Sequence, residues 1–202
     1  MAKNLNKRDL ELKKIRDEVL ALTASPLYEY RMANKYFPVI GEGSHSAKIM
    51  FIGEAPGRNE AKTGRPFCGS AGKILDDLLS SVGINRSDIY IANILKDRPQ
   101  NNRDPLPDEI AIYGPFLDRQ ISIIQPRVIA TLGRYSMDYI MNKFGLADVL
   151  FPISKLHGRV FEAKSGYGKV FIIPLYHPAA AIYDRSLLST LQQDFKILEK
   201  YK

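Results

Sequence analysis

The sequence predicts an α/β fold, a three-layer α/β/α sandwich around a mainly parallel four-stranded sheet. Three observations carry this prediction. Short apolar runs at 48–52, 89–92, 128–132 and 170–175 alternate with segments of helical periodicity. The runs are unbroken rather than alternating, as expected where helices cover both faces of a sheet. Three of them stop abruptly at polar, chemically capable residues: Gly53-Glu54, Asn93, and Tyr176-His177. In open parallel sheets, ligands bind in the crevice beyond the carboxyl ends of the strands. The fold therefore predicts that a carboxylate, an amide and an imidazole far apart in sequence meet in one cleft.

The elements follow in order. Leu12, Ile15, Val19 and Leu22 at helical spacing predict an opening helix from about 6 to 24, ended by Pro26. A glycine-containing loop at 38–46 leads into the first strand. After it, a polar loop over 57–69 precedes a helix bearing Ile74, Leu75, Leu78, Leu79 and Val82, closed by Gly83. The second strand ends at Asn93, and 95–105 is too polar and proline-interrupted for regular structure. Pro107 suits the first turn of a helix carrying Ile110, Leu117, Ile121 and Ile124. The third strand is followed by a helix from about Arg134 to Lys143. Residues 144–168 read as loop with a short edge strand at 159–161. The fourth strand runs to His177, and Leu187, Leu188, Leu191, Phe195 and Leu198 mark a final helix.

With 202 residues, the chain is read as a single domain over 1–202. No apolar run reaches the length of a membrane span, and the first residues lack the apolar stretch of a secretory signal. Cytoplasmic residence without a membrane partner is the expectation. The net charge of +7 favours a polyanionic partner. Arg58, Lys62, Arg65 and Lys73 follow the first strand, Lys96, Arg98 and Arg103 the second, and Arg185 the last. Basic groups so placed neutralise phosphates and position a nucleic-acid strand. The single cysteine, Cys68, allows neither an intrachain disulfide nor a cysteine-built metal site.

Gly53-Glu54-Ala55-Pro56-Gly57 is neither a dinucleotide fingerprint nor a phosphate-binding Walker loop, because the glycine spacing is wrong and no Gly-Lys-Ser/Thr ending follows. With its neighbours, the turn resembles the first motif of the uracil-DNA glycosylase superfamily, and of its family 4 in particular. The resemblance runs through Pro26-Leu27-Tyr28-Glu29-Tyr30-Arg31, residues 53–57, Glu60, Thr63-Gly64-Arg65-Pro66-Phe67, Ala71-Gly72, Asn93, Arg98-Pro99, Asn101-Asn102-Arg103 and His177-Pro178-Ala179.

That resemblance implies a monofunctional glycosylase that flips uracil out of DNA, hydrolyses its N-glycosidic bond and leaves an abasic site. It implies a monomer acting on single- or double-stranded uracil-containing DNA without metal or cofactor. Glu54 is implied to orient water and His177 to stabilise the leaving base. Gly53, Ala55, Pro56, Gly57, Glu60, Phe67 and Asn93 form the base pocket, with Phe67 stacking, Asn93 reading the base edge and Glu60 excluding a thymine methyl. Ser70, Arg98, Arg103 and Arg185 are the implied phosphate contacts.

Two departures stand out. Family 4 holds a four-iron cluster on four cysteines, and the corresponding positions here carry Leu22, Ser25, Asp97 and Tyr113. No cluster of that kind can form on these residues, and packing by Leu22 and Tyr113 is the expected substitute. Related enzymes also place a leucine wedge where this chain has Ala181, leaving Ile182, Tyr183 or Arg185 to fill the vacated base stack. These departures keep open a second reading, a DNA damage-binding relative that has lost turnover or changed specificity. A third is an enzyme acting on a free nucleotide.

Overall fold

A computed structural model describes residues 6–202. The central sheet has six strands in the order β1-β3-β2-β4-β6-β5, rather than the expected four. β2 (Ile49–Gly53), β3 (Tyr90–Asn93), β4 (Val128–Leu132) and β6 (Gly168–Leu175) form the parallel centre. The two additions are antiparallel edges, β1 (Glu42–Gly43) against β3 and β5 (Phe161–Ser165) against β6. β1 escapes a reading based on apolar runs, while the edge strand expected at 159–161 is present but shifted, overlapping β5 only at Phe161. β1 is two residues long, and β5 (FEAKS) is mostly polar because an edge strand needs only one covered face.

Side chains of successive strand residues point to opposite faces. Met50 and Ile52 accordingly join the core beneath α1 (Lys7–Leu20), α5 (Pro107–Ile124) and α6 (Arg134–Lys143). Ile49 and Phe51 join the opposite core beneath α4 (Ser70–Ser81) and α9 (Leu187–Phe195). This is the three-layer sandwich. The shorter helices are α2 (Tyr28–Ala33), α3 (Arg58–Thr63), α7 (Ile153–Leu156) and α8 (Ala180–Tyr183). Among the described residues, no helix is long and apolar enough to cross a membrane.

Register positions the site. Gly53 pairs with Asn93 across β2 and β3, while Ile52 and Thr131, then Thr131 and Pro174, pair across the remaining central strands. The parallel strands therefore end at one level. Beyond it, Ile94 N–H donates to Gly53 O and Leu95 N–H to Glu54 O, each at 3.0 Å, extending the β2–β3 lacing past the sheet.

Three of the four positions that the resemblance assigns to cluster cysteines, Ser25, Asp97 and Tyr113, join Arg31 in a closed polar chain. Arg31 donates to Asp97 at 3.1 Å and to the carbonyls of Val19 and Leu20 in the last turn of α1. Tyr113 donates to Asp97 at 2.6 Å, so the 2.6 Å contact between Ser25 Oγ and Tyr113 OH has Ser25 as donor. Ser25 Oγ in turn accepts from Leu27 N–H. A hydroxyl, a phenol and a carboxylate so engaged are not ligands for an iron cluster, and Leu22 offers no donor atom. Hydrogen bonding and an ion pair, rather than the expected packing by Leu22 and Tyr113 alone, join α1, α2 and the 97 loop to α5.

Candidate active site

A cleft of about 370 Å³ opens beyond the carboxyl ends of β2, β3 and β6, lined by Glu54, Ala55, Gly57, Glu60, Phe67, Ala71, Asn93, Asn102, His177, Ala179 and Tyr183. The three strand endings that appeared separately in the sequence do share one wall.

Gly53 makes the convergence possible. A Cβ there would fall 2.3 Å from Asn93 Oδ1 and 2.9 Å from the Phe67 ring, so any side chain would push apart the two groups it separates. Asn93 is 2% exposed and its Oδ1 has no hydrogen-bond partner among the described residues. An unpaired buried acceptor costs about 1–3 kcal/mol. It is the orphaned acceptor that a ligand N–H would satisfy.

Phe67 is buried, and its ring lies 5.5 Å from the His177 ring at 29°. Its φ of +48° is the left-handed conformation that bulky residues avoid. Two neighbours hold it there. Glu60 Oε1 accepts the N–H groups of Cys68 and Gly69, both at 3.0 Å. Gly72 in α4 lies so close that a Cβ would come within 1.9 Å of Phe67 O. Glu60 thus anchors the 67–69 turn with one oxygen, while the other faces Gly57, where a Cβ would lie 2.6 Å from it.

His177 stands two residues past the end of β6. Ala179 N–H donates to its Nδ1 at 3.1 Å, which leaves the ring proton of the neutral form on Nε2. Burial pushes its pKa down to about 4, with a smaller opposing influence from Glu60, so the ring is neutral near pH 7. Gly133 gives its side chain room, since a Cβ there would meet His177 Cβ at 3.3 Å.

Glu54 is half-buried, and its pKa is pushed up to about 7, first by desolvation and then by Asp104, against the pull of Arg134. A carboxyl poised near neutrality in a cleft is suited to proton chemistry. Ala55 and Gly57 line the same wall, with Pro56 buried between them.

The basic residues divide. Arg185 is exposed and has no ion-pair partner among the described residues, and Ser70 is exposed in the first turn of α4. Arg98 donates to Asn102 Oδ1, Tyr30 OH and Tyr36 OH, and Arg103 pairs with Glu109. Arg65 pairs with Glu42. Lys96 lies nowhere near solvent: it is fully buried, which corrects its reading as a phosphate contact.

Sequence reasoning did not assign a role in the pocket to Asn102, Ala71 or Ala179. Asn102 has a φ of +53° and is fixed by Arg98; asparagine tolerates that conformation, and the Asn101-Asn102 pair was the available signal. Tyr183, which also lines the cleft, is 90% exposed.

Comparison with known proteins follows the same line. The family model for the uracil DNA glycosylase superfamily matches residues 40–199. A type-4 uracil-DNA glycosylase of Sulfurisphaera tokodaii is 45% identical over 92% of this chain and 82% of its own length. Proteins of the same name from Archaeoglobus fulgidus and Thermotoga maritima are 44% and 40% identical, over 83% and 85% of this chain and 82% and 83% of their own.

Proposed function

The chain belongs to the uracil DNA glycosylase superfamily, and on that premise we propose that it excises uracil from DNA with Asn93, His177, Phe67 and Glu54 as its working residues. The observation that carries this reading is the orphaned Asn93 Oδ1 in the wall shared with Phe67 and His177.

Uracil presents an N3–H donor beside an O4 acceptor. Asn93 accepts the first through Oδ1 and donates to the second through Nδ2. Cytosine reverses both polarities and would leave two buried groups opposed to their own kind. Phe67 stacks on the everted ring, and Glu60 with Gly57 sets the space beside C5 that excludes a thymine methyl. Gly53, Ala55 and Pro56 complete the wall.

Breaking the bond between C1′ and N1 leaves the electron pair on uracil, with charge developing at N1 and O2. Nε2–H of neutral His177 donates to O2, stabilising that charge without transferring its proton. Water adds to the electron-poor C1′, and the Glu54 carboxylate orients it and takes up its proton. The departing uracil anion takes a proton from solvent and Glu54 gives its own back to solvent, so the products are free uracil and an abasic site. Tyr183 fills the vacated stack, and Arg185 and Ser70 bind flanking phosphates. Arg98 and Arg103 shape the loop beside the strand and lend it positive charge. The protein works as a single-domain monomer in the cytoplasm, with neither metal nor cofactor.

Incubation with a uracil-containing oligonucleotide should yield alkali-labile sites, and prior treatment with an iron chelator should leave the yield unchanged. Binding without alkali-labile sites would instead establish the damage-binding reading.

A further inference from the structure

The turn after Asn93 contains an unusual core side chain. Lys96 is fully buried, with Nζ donating to Asn93 O and to Gln120 Oε1, both at 2.7 Å. Gln120 is also fully buried and is itself fixed, its amide donating to Ile40 O at 2.9 Å and Tyr90 OH at 3.2 Å. No carboxylate pairs with Lys96 among the described residues, and burial alone pushes its pKa down to about 7. A neutral amine has two N–H groups, which matches the two acceptors.

Burying an amine without a counter-charge is costly, and a methionine would fill the same volume without that cost. What the lysine supplies is a fixed donor on one particular carbonyl. Asn93 ends β3, so the ladder no longer holds its C=O. The neighbouring backbone is held on every side: Ile94 and Leu95 donate to Gly53 and Glu54, and Lys96 O accepts from Val39 N–H at 2.7 Å. The amine closes this turn on the peptide that carries the reading amide.

Resting on the reading of Asn93 given above, we propose that Lys96 is a positioning residue for uracil excision, whose amine clamps the Asn93 peptide and so fixes the angle at which its carboxamide meets the base. The contact to the base remains Asn93's alone.

The test is a double-mutant cycle on single-turnover excision from a single-stranded uracil oligonucleotide. Lys96→Met should lower the rate about 10- to 100-fold, while affinity for abasic-site DNA, which has no base to read, stays unchanged. In an Asn93→Ala background the same substitution should add less than about threefold, because its route of action is gone. A wild-type rate for Lys96→Met, or an undiminished loss in the Asn93→Ala background, would overturn the inference. If Asn93→Ala alone keeps full activity, the base-reading assignment itself fails; if it is impaired but independent of Lys96, only the clamp fails. Should Lys96→Met not fold, Gln120→Met frees the amine from its second anchor and leaves the Asn93 bond in place. That variant should lose about three- to tenfold, again only while Asn93 is present, and a loss independent of Asn93 would refute the clamp.

Discussion

Two polar regions lie within five residues of each other, at the end of β3 and in the loop that follows it, and they treat buried polarity in opposite ways. Around Asp97, Ser25, Arg31 and Tyr113 complete one another in a chain of donors and acceptors that ends on the last turn of α1. Around Asn93, a buried oxygen has no partner among the described residues, and desolvation pushes the Glu54 pKa up to about 7. The first arrangement is complete in the folded chain and holds elements together. The second leaves an acceptor open in the folded chain, and the fold bears that cost.

Substitutions can break this contrast. The largest effect is expected for Asp97→Ala, which strands the buried Arg31 cation. Denaturant unfolding should show a loss of about 3–5 kcal/mol, while the rate of the folded fraction stays within about threefold. Next, His177→Ala should cut single-turnover excision about 10²- to 10³-fold, with no comparable loss of stability by the same unfolding measurement.

Glu54→Gln tests both sides of the contrast. The carboxyl ordinarily titrates near 4.5 but near 7 in the fold. Below the lower value it is protonated in both states and costs nothing. Above the higher one, the fold carries a charge that it holds poorly. Glu54→Gln should therefore stabilise the protein by about 1–3 kcal/mol at pH 8 and have little effect at pH 4.5. The wild-type rate should rise as pH passes through about 7, and the variant's pH–rate profile should lose that limb. His177, neutral well above about 4, contributes no limb in this range. The smallest effect belongs to Tyr183→Ser, which should slow excision from duplex DNA about tenfold and spare single strands. Rates on U·A, U·G and single-stranded substrates would show the difference.

Much of the site was legible because it depends on where strands stop. Apolar runs locate the ends of β2, β3 and β6, and parallel pairing brings those ends to one level. The edges β1 and β5 were less legible, being too short or too polar to stand out. The Asp97 cluster was hidden for a different reason. Its key cation, Arg31, sits in the six-residue α2, and no local pattern announces a partner 66 residues away. Lys96 misled for the same reason: a lysine beside a basic cleft reads as a surface charge until its burial and its two carbonyl acceptors are known.

The clamp around Asp97 also changes what the protein depends on. Its parts are all encoded in the polypeptide, so α1, α2 and the 97 loop are joined once the chain has folded. No thiolate-held cluster has to be assembled on Leu22, Ser25, Asp97 and Tyr113. Iron starvation or an oxidative burst, conditions that strip thiolate-held clusters, finds nothing at this position to remove.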